Sequence, residues 1–237
     1  FTERGNKMDK RIKYKKMKVL ELFAGSRPFS KVAEQMGMLT FTTDIVNFEK
    51  IDLVIDILDL DNHLLMEKLF EKGIDNVDIV WASPPCTAFS VASIGHHWNK
   101  DHTPKTEKAE LGVKIVQKTI DLINFLNPDF YFIENPRGKL RKLDVVKGLN
   151  RTTVCYCQYG DTKLKPTDIW TNHLADWFNP KGWQPRPMCN YRQKNCNCHH
   201  EKAPRGSKTT GTQGLKGNYE RSIVPPELCR EILESLC

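Results

Sequence analysis

Short apolar runs and amphipathic stretches alternate along the chain from Lys18 to about Ile133. Apolar runs of this length predict buried strands, and helical spacing between them predicts helices. Strands are predicted over Val19–Phe23, Leu39–Thr43, Leu53–Ile57, Val77–Trp81 and Phe130–Ile133, and helices over Ser30–Met38, Asn62–Lys72 and Glu107–Leu126. Because strands that alternate with helices pack as a parallel sheet covered on both faces, the sequence predicts an α/β fold.

The alternation is lost from Trp177 onward, where proline, glycine, cysteine and basic residues predominate as far as Asn218. We interpret this stretch as a small irregular insertion, followed by a final helix over Pro226–Leu236. Ligands of parallel α/β sheets bind beyond the carboxyl ends of the strands. The residues that follow predicted strands and could carry chemistry are Gly25, Asp44, Cys86 and Glu134.

The chain has 237 residues, of which 39% are hydrophobic and 27% charged, and this composition predicts one globular domain with a small appendage. Its formal net charge of +7 slightly favours a nucleic-acid partner. The chain has no apolar run long enough to cross a bilayer and no signal-peptide pattern, so we expect no membrane partner and a cytoplasmic location in a bacterial or phage-infected cell. Phe1 is not an initiator, and we expect a natural start at Met8 or Met17.

Gly25 and Asp44 form a candidate cofactor site. Gly25 stands where the first strand turns toward its helix, a place where nucleotide-like cofactors approach the backbone closely. A dinucleotide fingerprint would show three glycines, so a single glycine favours a cofactor without a pyrophosphate, such as S-adenosylmethionine. Asp44 follows Gly25 at about the spacing from which a carboxylate binds ribose hydroxyls, although an ordinary strand-end aspartate is the alternative.

Cys86 and Glu134 form a candidate catalytic pair. Pro84 and Pro85 restrict the backbone to extended geometry, so the next side chain is presented rigidly, as a nucleophilic thiol requires. The alternative for Cys86 is a buried structural cysteine. Glu134, in Glu134-Asn135-Pro136, can be held protonated in a cleft and donate a hydrogen bond to a ring nitrogen. The alternative for Glu134 is a solvated glutamate at the end of a strand. Their position on adjacent strand ends favours catalysis.

These motifs resemble those of the DNA cytosine-C5 methyltransferases, and they occur in that family's order. Similar elements are the cofactor turn Phe23–Gly25, the nucleophile motif Ser83–Ser90, Glu134–Pro136 and the closing motif Ile223–Leu228. The resemblance implies a Rossmann-like fold that transfers a methyl group from S-adenosylmethionine to C5 of cytosine in DNA. It also implies double-stranded DNA as the partner, with the target base flipped out of the helix.

The resemblance implies a role for each matching residue. Cys86 would add to C6 of cytosine, and Glu134 would hydrogen-bond N3 and the exocyclic amine. The implied cofactor contacts are Asp44 on the ribose, Asp56 and Ile57 beside the adenine, Phe23, Gly25 and Ser26 at the methionine end, and Pro84 and Val224. The segment 93–108, rich in histidine and lysine, would close over DNA phosphates or serve only as a solvated connector.

Several positions depart from the family's pattern. Gly25-Ser26-Arg27-Pro28 replaces a glycine-rich turn, Thr87 replaces a glutamine and Ser222 replaces an asparagine. Lys165 takes the place of the arginine that contacts cytosine O2. Because the lysine ammonium is a point charge, whereas the arginine guanidinium is planar and has several fixed donors, we expect the base to be held less tightly. These changes suggest a divergent branch, such as those found in phage and prophage genomes.

The cysteine- and histidine-rich stretch 189–200 predicts a structural zinc site, since zinc prefers four nitrogen or sulfur ligands. The predicted ligands are Cys189, Cys196, Cys198 and His200, with His199 or Cys157 as substitutes. The alternative is a set of surface thiols open to oxidation. This short region stands where the family has its target-recognition region.

We expect a basic extension over 1–16, a catalytic domain over 17–172, a recognition insertion over 173–217 and a C-terminal segment over 218–237. Two alternative functions remain open at the level of sequence. One is a catalytically silent protein that binds DNA and cofactor. The other is the same chemistry on RNA or on a free cytidine nucleotide.

Overall fold

The computed structural model describes residues 17–91, 94–189 and 222–236, and in these residues seven strands form one sheet. The strands are β1 (Lys18–Leu22), β2 (Leu39–Asp44), β3 (Leu53–Val54), β4 (Ile79–Ala82), β5 (Phe130–Pro136), β6 (Arg151–Cys155) and β7 (Pro166–Thr171). Their order across the sheet is β3-β2-β1-β4-β5-β7-β6. The first five strands run parallel, and β7 is antiparallel to both β5 and β6.

The helices are α1 (Pro28–Gln35), α2 (Asn62–Glu71), α3 (Ile94–His97), α4 (Glu107–Leu126) and α5 (Pro226–Glu234). The start of α4 is fixed by Thr106, whose side chain accepts a hydrogen bond from Ala109 N. The end of α4 is fixed by Asn127, which adopts a left-handed conformation that asparagine tolerates well. A 3₁₀ helix over Tyr156–Tyr159 follows β6.

Side chains that alternate along the strands belong to two different hydrophobic clusters, one on each face of the sheet. In β4, Val80 joins the cluster that contains residues of α2 and α4, while Ile79 and Trp81 join the cluster that contains residues of α1 and α5. Phe29 stacks on Trp81 with ring centroids 4.6 Å apart. Each such fully buried side chain contributes about 1.5–3 kcal/mol of burial free energy. The packing therefore fixes the sheet between two helical layers.

The predicted α/β fold is confirmed, and the predicted bounds of α4 agree with the structure. The strand predicted over Leu53–Ile57 is shorter than expected, and the sequence pattern did not predict β6 or β7. No helix among the described residues is long and apolar enough to span a membrane.

Residues 173–189, which follow β7, pack against the sheet and the C-terminal helix α5. Trp183 is buried, and its backbone donates to the carbonyl of His173 while its ring meets Phe132 edge-on. Farther along, Arg186 forms ion pairs with Glu227 and Glu231 of α5. These contacts attach residues 173–189 to the same layer as the C-terminal helix.

Candidate active site

The turn between β1 and α1 has an unusual backbone. Phe23, Gly25 and Arg27 all have φ between +51° and +58°, in the left-handed region that costs a non-glycine residue roughly 1–2 kcal/mol. Gly25 suits this geometry, and a Cβ there would meet no atom within 4 Å, so open space adjoins the turn. Arg27, which stands where the resembling family has glycine, is buried and ion-paired with Glu34.

Asp44 is tied to the same turn. Its Oδ2 accepts a hydrogen bond from Gly25 N at 2.9 Å, and its Oδ1 accepts one from Val46 N at 2.9 Å. Ile45, the next residue, is an apolar side chain that is 64% exposed. An exposed apolar surface beside a carboxylate suits an adenosine, whose base is flat and apolar and whose ribose carries hydroxyls. Sequence analysis missed Ile45, although an isoleucine directly after the predicted carboxylate was the available signal.

The other predicted cofactor residues occupy different settings. Asp56 lies beyond the end of β3 and accepts a hydrogen bond from Leu58 N, whereas Ile57 is buried in the core. Ser26 is half-buried in the turn. Val224 is fully buried in the cluster that contains Phe29 of α1, the helix that follows the turn.

Glu21 closes the amino end of α1. Its side chain is buried in β1 and accepts hydrogen bonds from Phe29 N at 3.2 Å and from Ser30 N at 2.8 Å. In dinucleotide-binding folds the pyrophosphate takes these amide groups at the amino end of the helix. Because a carboxylate already holds them here, the site excludes a dinucleotide and suits a cofactor without phosphates.

Burial raises the pKa of Glu21 from 4.5 to about 7, against the opposing effect of its hydrogen bonds from Ser30 and Phe29. Between these two pH values the unfolded chain loses a proton that the folded chain keeps, so stability falls as pH rises. A Glu21→Gln variant lacks this titration, so its stability should not fall in the same way. The free energy of unfolding of the variant minus that of the wild type should therefore increase by about 3 kcal/mol between pH 4.5 and pH 8. Urea unfolding of both proteins at several pH values measures this, and a difference independent of pH would contradict it.

The Cys86 loop is fixed at several points. Cys86 is half-buried directly beyond β4, where Pro84 is buried and its carbonyl accepts a hydrogen bond from Asn135 Nδ2 at 2.8 Å. The amides of Phe89 and Ser90 donate to the Cys86 carbonyl at 2.9 and 3.0 Å, which closes a turn around the cysteine. The residue after Glu134 therefore joins the two predicted catalytic strand ends.

Phe89 anchors the far side of this loop. Its ring is buried and stacks on Trp98, with ring centroids 5.9 Å apart. Its carbonyl accepts a hydrogen bond from Lys139 N at 2.8 Å. A Cβ at Gly138 would lie only 2.2 Å from that carbonyl oxygen, so no larger residue fits without a shift of the loop.

Glu134 is buried near the end of β5, and its Oε1 accepts a hydrogen bond from the hydroxyl of Tyr156 at 2.9 Å. Lys165 is also buried, and its Nζ lies 4.4 Å from the centre of the Tyr156 ring. The structure thus brings the predicted residues Glu134 and Lys165 together through Tyr156, which sequence analysis missed. Tyr156 follows β6, a strand that the pattern did not predict, so no signal placed it near the site.

The basic segment is folded rather than extended where the structure describes it. His97 is buried and its Nδ1 lies 2.8 Å from Thr106 Oγ1, while Trp98 donates to the carbonyl of Ala88 at 2.7 Å. Burial, followed by the charges of His96 and Lys108, lowers the pKa of His97. The predicted phosphate-facing role therefore does not suit His97, but the other predicted basic residues, His96, Lys100, His102, Lys105 and Lys108, are exposed.

Of the predicted zinc ligands, only Cys189 lies within the described residues. It is buried in a cluster with Cys155 and Cys157 at the end of β6. The other predicted ligands, Cys196, Cys198 and His200, and the substitute His199 lie outside the described residues. Within the described parts of the chain, no three His, Cys, Asp or Glu side chains form a group that could hold a metal ion.

Comparison with known proteins places the chain among the cytosine-specific DNA methylases. The family model of C-5 cytosine-specific DNA methylases matches residues 17–150. A protein of Frog virus 3 (isolate Goorha), described as a probable DNA (cytosine-5)-methyltransferase, is 27% identical over 231 residues, which cover 93% of this chain and 100% of the viral protein.

Two solved structures overlap with 65% of the chain. One is described as a DNA modification methyltransferase encoded within an Escherichia coli prophage, with a TM-score of 0.47 and 17% identity. The other is a mutant of Spodoptera frugiperda DNMT2, with a TM-score of 0.39 and 20% identity. The match covers 46% of the first of these proteins and 49% of the second, so the chain spans about half the length of each.

Proposed function

Because the chain belongs to the C-5 cytosine-specific DNA methylase family, we propose that it transfers a methyl group from S-adenosylmethionine to C5 of cytosine in DNA through Cys86 and Glu134. The choice of Cys86 and Glu134 rests on one observation, the 2.8 Å hydrogen bond from Asn135 Nδ2 to the Pro84 carbonyl. It couples the loop that bears Cys86 to the strand that bears Glu134. The two groups can therefore act on the same base.

Each catalytic residue has a defined task. The thiolate of Cys86 forms a bond to C6 of cytosine, while Glu134 hydrogen-bonds N3 and stabilises the ring as electron density moves toward C5. S-adenosylmethionine supplies the methyl group that C5 accepts. The C5 proton then passes to water, its electron pair forms the C5–C6 double bond, and the C6–S bond breaks to release the Cys86 thiolate. Lys165, whose Nζ lies 4.4 Å from the centre of the Tyr156 ring, would supply positive charge in place of the family's arginine.

The residues at the β1–α1 turn suit S-adenosylmethionine. Asp44 would bind the ribose hydroxyls, and Ile45 and Asp56 would lie beside the adenine. Phe23, Gly25 and Ser26 would line the methionine end, where open space adjoins Gly25. Pro84 and Val224 support the site from the core, since both side chains are buried. Glu21 contributes by filling the position that a pyrophosphate would need.

We propose double-stranded DNA as the substrate, and the cytoplasm of a bacterial or phage-infected cell as the location. Cys86 and Glu134 cannot reach a cytosine inside a duplex until the base is flipped out of the helix. Lys100, Lys105 and Lys108 are exposed on the segment that packs against the Cys86 loop, and such side chains can neutralise backbone phosphates. The division into a 17–172 catalytic domain and a 173–217 recognition insertion belongs to this proposal.

A structural zinc in the recognition insertion is also part of the proposal. What supports it is the thiol-rich setting of Cys189, which is buried beside Cys155 and Cys157 at the base of the insertion. Metal analysis of the purified protein should give about one zinc per chain, and replacing Cys189 with serine should lower that content. A zinc content near zero in the wild-type protein would contradict the prediction.

Label transfer tests the function directly. The protein is incubated with methyl-labelled S-adenosylmethionine and, in parallel, duplex DNA, single-stranded DNA, RNA or dCMP, and the nucleosides are then separated. We expect label in 5-methylcytosine from duplex DNA. Label confined to RNA or dCMP would replace DNA with that substrate, and label in none of the four would leave a protein that binds without catalysis.

A further inference from the structure

Two buried tyrosines of the 3₁₀ helix share an arrangement in which the hydroxyl meets a glutamate and a cation lies over the ring. The Tyr156 hydroxyl donates to Glu134 Oε1 at 2.9 Å, with Lys165 Nζ 4.4 Å from the ring centre. The Tyr159 hydroxyl lies 3.2 Å from Glu231 Oε1, with the Arg186 guanidinium 4.7 Å from its ring. Only the first set includes proposed catalytic residues.

Tyr156 is held firmly in this position. Its side chain is fully buried, and its backbone N donates to the carbonyl of Lys165 at 3.3 Å. Burial, followed by the charge of Glu134, raises the pKa of Tyr156 well above its ordinary value. The hydroxyl therefore keeps its proton at working pH and remains a donor.

Glu134 depends on this donor. Tyr156 provides the only hydrogen bond that the described residues make to its buried carboxyl group, and that bond goes to Oε1. We infer that Tyr156 is a positioning residue, whose hydroxyl fixes Oε1 of Glu134 so that Oε2 faces the cytosine. The ring of Tyr156 at the same time holds the ammonium group of Lys165 through a cation–π contact. The inference deepens the proposed function and rests on it.

Tyr156 supplies a directional hydrogen bond to Glu134, which the ammonium group over its ring does not. A guanidinium can orient a carboxylate with two parallel hydrogen bonds, which an ammonium group cannot do. Lys165 and Thr167 stand where the resembling family has two arginines. A lysine supplies charge without direction, so the directional donor comes from the phenol of Tyr156.

A Tyr156→Phe substitution tests the hydroxyl alone, because phenylalanine keeps the ring beneath Lys165. We expect kcat to fall about 10- to 100-fold, with the KM for DNA near the wild-type value. The pH–rate profile should also differ from that of the wild-type enzyme, because a hydrogen-bond donor to the reacting carboxyl group is lost. A Tyr156→Leu variant, which also removes the ring, should raise the KM for DNA as well.

Tyr159→Phe is the matched control, because it removes the same atom from a buried tyrosine that faces a glutamate away from the site. It should lower the melting temperature without a change in kcat or in the pH profile. A double-mutant cycle adds a second measurement: in a Glu134→Ala background, which removes the group that Tyr156 positions, Tyr156→Phe should have little further effect on kcat.

Equal kcat values and unshifted pH profiles for Tyr156→Phe and Tyr159→Phe would overturn the inference, as would full additivity with Glu134→Ala. Either result with an active wild-type enzyme would leave the proposed function standing. A wild-type protein that transfers no methyl group to DNA would overturn both.

Discussion

Replacing Cys86 with alanine is expected to abolish methyl transfer, with a loss on the order of 10⁴-fold or more in kcat. Without the thiolate, no bond forms at C6, and C5 of cytosine is too weak a nucleophile to accept the methyl group. A loss of 10⁴-fold corresponds to about 5.5 kcal/mol of transition-state stabilisation. Label transfer to duplex DNA, measured beside the wild-type enzyme, gives the value.

The Cys86→Ala protein should keep its fold and its cofactor site. Cys86 is half-buried, and the turn around it is held by main-chain hydrogen bonds to its carbonyl rather than by its thiol alone. We therefore expect a melting temperature and an S-adenosylmethionine affinity close to those of wild type. Residual transfer above about 1% of the wild-type rate would contradict the assignment of Cys86 as the nucleophile.

Replacing Glu134 with glutamine should have the second largest effect, a fall of about 10²- to 10³-fold in kcat. Glutamine keeps the shape of the side chain and still accepts the hydrogen bond from Tyr156. It cannot share a proton with N3, so the activated ring loses its main stabilisation. Single-turnover label transfer at saturating DNA separates this loss from any change in binding.

Glu231→Gln serves as the matched control for Glu134→Gln. Glu231 is likewise a glutamate at a tyrosine hydroxyl, but its other partners are Trp183 and Arg186 in the layer around α5. Its replacement should weaken that layer and lower the melting temperature while kcat stays near the wild-type value. If both variants lost the same amount of kcat, Glu134 would have only a structural role.

The sequence pattern was sufficient to predict the parallel half of the sheet and the residues at its carboxyl edge. Strands β1 and β4 are buried on both faces and appear as largely apolar runs, whereas the buried strand β2 is rich in threonine, which is β-branched. The motif residues lie at or just beyond the ends of these strands. Cys86 and Glu134 could be placed near each other because β4 and β5 are neighbours. This part of the site follows from the order of the strands alone.

The antiparallel half was not predictable, for a physical reason visible in β7. Only two residues of β7 are strongly apolar, and Asp168 carries a charge in the middle of the strand. Asp168 is nevertheless fully buried, because Arg141 and Thr153 supply ion-pair and hydrogen-bond partners. A buried charge is stable only with such partners, and these lie far away in sequence. Without β7 and β6 there was no reason to place Tyr156 beside Glu134.

The hydrogen bond that couples the Cys86 loop to the end of β5 was equally hidden. The hydrogen bond from Asn135 to Pro84 spans 51 residues of chain, and neither residue type signals it. Glu21 was overlooked because a carboxylate within an apolar strand suggests a solvated face, whereas this one is buried and closes the amino end of α1. Both features depend on tertiary contacts rather than on local pattern.

The central claim is a covalent bond between Cys86 and a cytosine of DNA, and trapping that bond is the most direct measurement of it. Duplex DNA that contains 5-fluorocytosine blocks the last step, because fluorine cannot leave C5 as a proton does. With S-adenosylmethionine present, we expect a protein–DNA complex that survives denaturation, and peptide mapping should place the modified base on Cys86. A complex mapped to another cysteine, or one formed equally by Cys86→Ala, would contradict the account.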